Sequence, residues 1–417
     1  MQKAILVGPD IRQDRLIDYY MEELENLAHA RNLEVVYTFT QALKSINPAT
    51  YIGTGKAQEI ATFVGNLDAD ICVFNDELSG SQIRNLEDIL NCRVIDRTLL
   101  ILDIFATRAK TKEAMLQVEI AQLEYMLPRL QGLRPSLERQ QGGIGSRGPG
   151  EKKLETDRRK IEKERTKLKK ELKSVVQSRQ IQRRKRQEAP ILKAAIVGYT
   201  NAGKSTLMNA LVKHHSSSEK HVTAKDMLFA TLETATRKIE PASNKNYIIT
   251  DTVGFVSHLP HGLVDAFKST LEEITEADYL IHVVDGSNPN HDQQIDTTHK
   301  TLKDIGVLDI PTLYIYNKAD LLQNDLNTHF FPNVVVSLKE DKGIQRVKSF
   351  IEEQLFKDYR KVSLLIPFED GDIVSKLNDE AHIITQTYHD DGTYLDVELS
   401  QEQFSMYEPY ITKKRIS

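Results

Sequence analysis

The 417-residue chain has no tryptophan, only two cysteines and no apolar run of membrane-spanning length. The missing apolar run excludes a transmembrane helix. Cys72 and Cys92 belong to no motif and sit in or beside apolar strand-like runs, which excludes a disulfide scaffold and makes both reduced core residues. No secretory leader is expected, since Met1-Gln2-Lys3 passes straight into the strand-like Ala4 to Val7. A cytoplasmic protein without stable membrane insertion is therefore expected. What is present, 40% hydrophobic and 28% charged residues in a chain too long for one domain, describes a soluble globular protein of two to four domains.

Residues 198 to 206 read Gly-Tyr-Thr-Asn-Ala-Gly-Lys-Ser-Thr, between the apolar run Ile191 to Val197 and a helical stretch from Leu207. Strand, glycine loop and helix in that order make a phosphate-binding loop. Several backbone N–H groups must converge on phosphate oxygens, and Gly198 and Gly203 allow the tight turn that side chains would obstruct. Tyr199, Thr200, Asn201, Ala202 and Thr206 complete the cradle. Lys204 is placed to reach the β- and γ-phosphates, and Ser205 to bind Mg²⁺ through its hydroxyl. The helix start adds its positive dipole end.

A phosphate loop does not separate ATP from GTP, but three later segments do, each at the end of an apolar, β-branched run. Tyr247 to Thr250 leads into Asp251-Thr252-Val253-Gly254. There Asp251 would hold the magnesium through water and the Gly254 N–H would sense the γ-phosphate. Leu313 to Tyr316 leads into Asn317-Lys318-Ala319-Asp320. A carboxylate at Asp320 accepts hydrogen bonds from the imide N–H and exocyclic amine of guanine, a donor pair that adenine lacks, so GTP and GDP are the expected ligands. Val334 to Val336 leads into Ser337-Leu338-Lys339, similar to the Ser-Ala-Lys base-contacting turn of GTPases. Its middle residue, here Leu338, is expected to offer a backbone N–H to the guanine oxygen. All these motifs fall at the C-terminal ends of predicted parallel strands, where open α/β sheets bind ligands. Together they define a P-loop GTPase domain.

Between the phosphate loop and Asp251 lies Phe229-Ala230-Thr231-Leu232-Glu233, after the polar stretch His214 to Lys220. Thr231 is the candidate switch threonine that completes the magnesium shell, with Thr234 and Thr236 as competitors. Phe229 is expected among the nucleotide contacts, and Lys204, Thr231 and Gly254 are the expected catalytic positions.

Residues 1–110 alternate strand-like runs (Ala4 to Val7, Glu34 to Phe39, Ile71 to Phe74, Arg93 to Ile95) with helical stretches, the pattern of a parallel α/β domain. Gly53-Thr54-Gly55-Lys56 has the wrong spacing for a second nucleotide loop and reads as a turn capping the next helix. In residues 111–188, Leu116, Ile120, Leu123, Leu127 and Leu130 recur at four- and three-residue steps. Leu154, Ile161, Leu168 and Val175 recur every seven, with Leu172 beside them. Two long helices packed as an antiparallel hairpin follow, the second about 55 Å long at 1.5 Å per residue.

The hairpin tip, 132–150, is glycine-rich. It carries Arg134, Arg139 and Arg147, with Gln140, Gln141 and Ser146 as neutral hydrogen-bonding groups around Gly142 and Gly143. Little bulk and several phosphate or base-edge donors suit insertion into a narrow RNA cleft. From Arg147 to Glu188 there are 17 Lys and Arg against 7 Asp and Glu, leaving +10 here and −15 elsewhere. Arg183-Arg184-Lys185-Arg186 concentrates this charge. The stretch is addressed to a polyanion, the alternative being a solvated coiled-coil face. Residues 189–361 hold the GTPase motifs. Residues 362–417 read strand, helix, strand, turn at Asp390-Asp391-Gly392, strand and helix, a small α+β domain suited to docking or domain packing.

The phosphate loop, Phe-Ala-Thr-Leu-Glu, Asp-Thr-Val-Gly-Phe and Asn-Lys-Ala-Asp, preceded by Gly-Gly-Ile-Gly-Ser-Arg-Gly-Pro-Gly-Glu at 142–151, closely resemble the HflX family of translational GTPases over nearly the whole chain. The resemblance implies a cytoplasmic GTP hydrolase that binds the large ribosomal subunit and can separate stalled or idle ribosomes, often under stress; a monomer is expected. A regulatory switch acting through a protein effector or membrane contact is the alternative. Carried over, Gly198 to Ser205 bind phosphate, Ser205 and Thr231 the magnesium, and Asn317, Lys318 and Asp320 the base. The ATP binding attributed to the family's N-terminal region finds no convincing loop here. Where the family's switch reads Leu-Asp-Pro-Thr-Thr, this chain has Leu232-Glu233-Thr234-Ala235-Thr236, without the proline. Phe255 stands where many GTPases have a water-orienting glutamine, so slow hydrolysis in isolation is expected, with a group supplied by a partner or by a bound cation. Asn201 sits where cation-dependent GTPases coordinate K⁺. Its alternative role is to shape the turn.

Overall fold

The computed structural model describes residues 1–10, 16–130, 149–184, 191–213, 229, 235–241, 245–257, 274–307, 309–322 and 325–412. Within its long arm helix the side chains of 155–178 are described. Thr231, Thr234, the tip residues Arg134, Arg139, Gly142, Gly143, Ser146 and Arg147, and Lys185 and Arg186 lie outside the described residues. Arg183 and Arg184 are described as helical backbone only. The chain divides into two units, one of Met1–Gln187, Lys225–Glu233 and Val256–Thr270, the other of Glu188–Ala224, Thr234–Phe255 and Leu271–Ser417.

In the first unit β1 (Gln2–Asp10), β2 (Leu33–Ala42), β3 (Ile71–Phe74) and β4 (Arg93–Asp96) form a parallel sheet in the order β2-β1-β3-β4. Ala4, Ile5, Leu6 and Val7 are all buried, as a strand covered on both faces requires. The helices are α1 (Ile17–Ala30), α2 (Thr54–Leu67), α3 (Gly80–Leu90) and α4 (Arg97–Arg108). Ser79 and Gln82 start α3 with a reciprocal capping box. Gly53 is the N-cap of α2 and donates its N–H to the Gln41 side chain at 3.1 Å, so the Gly53 to Lys56 turn is a helix cap.

The helices α5 (Lys112–Leu130) and α6 (Pro149–Arg184) pack as the expected hairpin. Leu116, Ile120 and Leu123 meet Leu168, Leu172 and Val175, and Lys112–Glu171 (2.7 Å) and Lys169–Glu124 (2.6 Å) flank that seam.

In the second unit β5 (Leu192–Val197), β6 (Ala235–Ile239), β7 (Tyr247–Asp251), β8 (Tyr279–Asp285), β9 (Thr312–Asn317) and β10 (Asn333–Val335) form one sheet. Its order is β10-β9-β8-β5-β7-β6, with β6 alone antiparallel. Helix α7 (Lys204–Lys213) follows β5. The connection direction reverses at β5, and the crevice beyond its C-terminal end is where such sheets bind ligands. Three antiparallel strands, β11 (Arg360–Ile366), β12 (His382–His389) and β13 (Gly392–Leu399), close the unit in the order β11-β13-β12. Their core is Leu364, Ile366, Leu377, Leu395, Val397 and Leu399. An ion pair between Lys245 and Glu398 ties this sheet to the segment before β7. Among the described residues no helix is long and apolar enough to cross a membrane.

Candidate functional site

The site is built where β5, β7, β8 and β9 end. Gly198, first in the loop, has φ +141, and a Cβ there would lie 2.2 Å from the Val283 carbonyl oxygen of β8, so only glycine fits. The loop is fastened to the strand-end segment after β7 by backbone bonds: Thr200 N–H donates to the Phe255 carbonyl at 2.8 Å, and Phe255 N–H to the Gly198 carbonyl at 3.2 Å. Asn201 is exposed at φ +62, a left-handed position that asparagine tolerates better than most residues. Its backbone accounts for the residue through turn shape.

Lys204 is buried and donates to the carbonyl oxygens of Gly198 (3.0 Å) and Tyr199 (2.6 Å). Burial lowers its ammonium from 10.5 to about 8, against an opposing pull from Asp251. Gly254 lies against this lysine, since a Cβ there would come within 2.9 Å of Lys204 Nζ and 2.7 Å of Thr200 Cγ2. The Ser205 hydroxyl donates to Asp251 Oδ2 at 3.0 Å, and Asp251 is fully buried. A serine hydroxyl beside an acidic carboxylate at a phosphate loop is the hard-oxygen set that Mg²⁺ takes with phosphates and waters, so these residues fit the ion.

The base-reading loops are tied to the phosphate loop through one side chain. Asn317, 5% exposed, donates from Nδ2 to the Ala202 carbonyl at 2.8 Å and accepts at Oδ1 from the Leu338 N–H at 3.0 Å. The Leu338 N–H, expected at the guanine oxygen, is thus committed to Asn317. The leucine itself is core, packed with Val334 and Val336, which explains the departure from alanine. Lys318, at φ +64, is ion-paired to Asp285 at 2.6 Å. Asp320 is exposed, and a hydrogen bond from Ser337 holds its carboxylate below the usual range with help from Lys339 and Lys318. Ser337 therefore aims the carboxylate, and it also accepts the Lys339 N–H at 3.4 Å. Thr206 is half-buried at the start of α7.

Two expectations change. Phe229, expected among the nucleotide contacts, belongs to the first unit, where its ring is buried edge-on against Phe105 of α4, centroids 4.6 Å apart. Thr236 belongs to β6, where its hydroxyl meets that of Thr250 at 3.2 Å, so it is not the switch threonine. Sequence reasoning also missed Asp285, Thr252 and His282. Asp285 ends an apolar strand, the same signal that marked Asp251. The Thr252 hydroxyl donates to the Ile196 carbonyl at 2.6 Å and locks β7 to β5. His282 lies next to Gly198, and burial, with His299 and Lys204 adding, pushes it down to about 3, so it stays neutral.

A glycine loop at the strand-order reversal, a serine–aspartate magnesium pair and an Asn-Lys-x-Asp turn define a P-loop GTPase. Residues 18–106, 108–186 and 193–318 match the families described as GTP-binding GTPase N-terminal, GTP-binding GTPase Middle Region and 50S ribosome-binding GTPase. The chain is similar to the GTPase HflX of Caldanaerobacter subterraneus subsp. tengcongensis, 45% identical over 382 residues, 92% of this chain and 88% of that one. It is also similar to the GTPase HflX of Escherichia coli strain K12, 39% identical over 398 residues, 94% and 92% of the two chains. A solved GTP-binding protein of Sulfolobus solfataricus in complex with GDP is 25% identical, at TM-score 0.45, over 85% of this chain and 99% of that one. The chain belongs to the GTPase HflX family and is a GTP hydrolase.

Proposed function

We propose that this GTPase binds the large ribosomal subunit, separates joined subunits during stress, and times its own release by hydrolysing GTP. The observation that carries the reading is the charge arrangement of α6. Each carboxylate in its described stretch is ion-paired: Glu155 with Arg159, Asp157 with Lys160, Glu162 with Arg158, Glu164 with Lys167 and Glu171 with Lys112. The exposed Lys163, Lys170 and Lys173 are surplus cations on the side of the helix opposite Leu168 and Leu172. A stripe of this kind attracts nucleic-acid phosphates without reading sequence, and Arg183 to Arg186 extend its charge. The ribosome-binding description of the third matched family points the same way.

In the hydrolytic cycle the phosphate loop holds the triphosphate, Lys204 neutralises it, and Asp320 selects guanine. Ser205 and Thr231, with Asp251 acting through water, would hold Mg²⁺, which would supply neutralising charge for the phosphates when bound. Phe255 is 2% exposed and bound through its backbone to the loop, so its side chain does not orient water. Hydrolysis is accordingly slow until the ribosome supplies the missing group.

Sedimentation of ribosomes on sucrose gradients, with the protein and a non-hydrolysable GTP analogue, tests this. Joined ribosomes should shift to free subunits, with the protein on the large one. Changing Lys163, Lys170 and Lys173 to Ala should weaken binding and lower the salt slope by about 0.7–0.9 for each phosphate no longer neutralised. Shortening 142–150 should abolish separation. Unchanged separation by the shortened protein would favour a regulatory switch.

A further inference from the structure

The two thiols lie together. Cys72 of β3 is in register with Val94 of β4, and Cys92 stands two residues before Val94, so both side chains project from the same face of the sheet. Their sulfurs are 3.5 Å apart, and both residues belong to one apolar cluster. Cys72 is buried and Cys92 half-buried, so Cys92 is the more accessible of the two residues. Cys92 lies in the bend between α3 and β4, next to Asn91 at φ +51, outside the regular strand pairing. A disulfide needs the sulfurs at about 2.05 Å, an approach of about 1.5 Å that a residue in a bend can make.

We propose that Cys72 and Cys92 form a reversible dithiol–disulfide pair driven by hydroperoxides. The Cys92 thiolate attacks the distal oxygen of the hydroperoxide, the O–O bond breaks, and an alcohol, or water from hydrogen peroxide, departs. Cys92 is then a sulfenic acid. Cys72 attacks the Cys92 sulfur, the S–O bond breaks, and water leaves as the disulfide forms. Two thiols lose two electrons and two protons, and the hydroperoxide is reduced by the same two electrons. The electrostatics agree with this division of labour: the sulfur–sulfur contact with Cys72 holds the Cys92 thiol below its ordinary range, whereas that contact and burial push Cys72 up. The product ties β3 to the lead-in of β4 and closes a loop of about 20 residues, which restricts the unfolded chain.

The test uses the full chain and hydrogen peroxide as the probe. The oxidised protein should be lighter by two hydrogens as an intact monomer and should yield a Cys72–Cys92 cross-linked peptide. Its melting temperature should rise, and dithiothreitol should restore both thiols. Cys72→Ser should leave Cys92 as a sulfenic acid trapped by dimedone, and Cys92→Ser should leave Cys72 unmodified. If Cys72→Ser unfolds, Cys72→Ala serves the same purpose. Sulfinic acid at Cys92 with the Cys72 thiol intact, or disulfide-linked dimers in place of the internal bridge, would overturn the proposal.

Discussion

Asn317→Ala is the most informative change in the nucleotide site, because one side chain holds two backbone groups from different loops. The substitution removes the donor to the Ala202 carbonyl (2.8 Å) and the acceptor for the Leu338 N–H (3.0 Å), both buried. Each orphaned group costs about 1–3 kcal/mol, so about 2–6 kcal/mol must be lost in total. This loss divides between the stability of the nucleotide-free protein and its affinity for nucleotide. Every 1.4 kcal/mol that falls on binding is about tenfold in Kd. Thermal unfolding without nucleotide reads the first share, and titration of a fluorescent GDP analogue the second. A loss mainly in melting temperature means that the bridge exists before nucleotide arrives. A loss mainly in affinity means that nucleotide completes it. Gly203→Ala is the companion variant, since its Cβ would come within 2.2 Å of Asn317 Nδ2 and break the donor while leaving the amide in place. If Asn317→Ala binds GDP within about twofold of the unaltered chain and melts at the same temperature, the bridge contributes nothing measurable and the argument fails.

Lys204 gives a pH signature. Between about 8 and its ordinary 10.5 the unfolded chain carries a proton that the folded, nucleotide-free chain lacks, so that form should gain stability as pH rises through this window. Bound phosphate restores the proton, so calorimetry at pH near 9 should find proton uptake on GDP binding, and Lys204→Met should abolish it. Asp320→Asn should lower GTP affinity and raise that for xanthosine triphosphate, because the amide donates where the carboxylate accepted. A competition assay that still prefers GTP fully would contradict this. Gly254→Ala should weaken GDP binding and slow hydrolysis about a hundredfold, as its Cβ displaces Lys204 and Thr200; titration of a fluorescent GDP analogue and single-turnover phosphate release measure these.

The parts of the fold legible in the sequence were those where one constraint dominates. The run Ala4 to Val7 had to be a covered central strand, and the seven-residue spacing of Leu168 and Val175 had to face a partner helix, here Leu116 and Ile120. The phosphate loop was legible because Gly198 and Gly203 occupy backbone regions closed to other residues. What escaped were choices between two uses of one group. Nothing in Ser337-Leu338-Lys339 reveals that the Leu338 N–H serves Asn317, since that depends on a side chain 21 residues away. Phe229 was assigned by its neighbours in sequence, whereas its ring answers to Phe105, over a hundred residues earlier. Asp285 was within reach, since it repeats the strand-end acid pattern of Asp251.

The first unit is discontinuous in the chain, and this bears on how the protein is made. Glu23 is ion-paired to the buried Arg97, which also donates to Asn75 at 2.9 Å, and its other oxygen accepts the Ser257 N–H at 3.4 Å. Phe105 likewise receives Phe229. A nascent chain that has emerged only as far as Gln187 therefore holds the residues of a sheet, its helices and the arm, but neither Phe229 nor Ser257. Synthesis of the roughly 70 residues from there to Ser257 takes roughly 4–14 s at about 5–20 residues per second. During that interval the unit lacks the Phe229 ring against Phe105 and the Ser257 bond to Glu23, and chaperone demand on this protein should peak there.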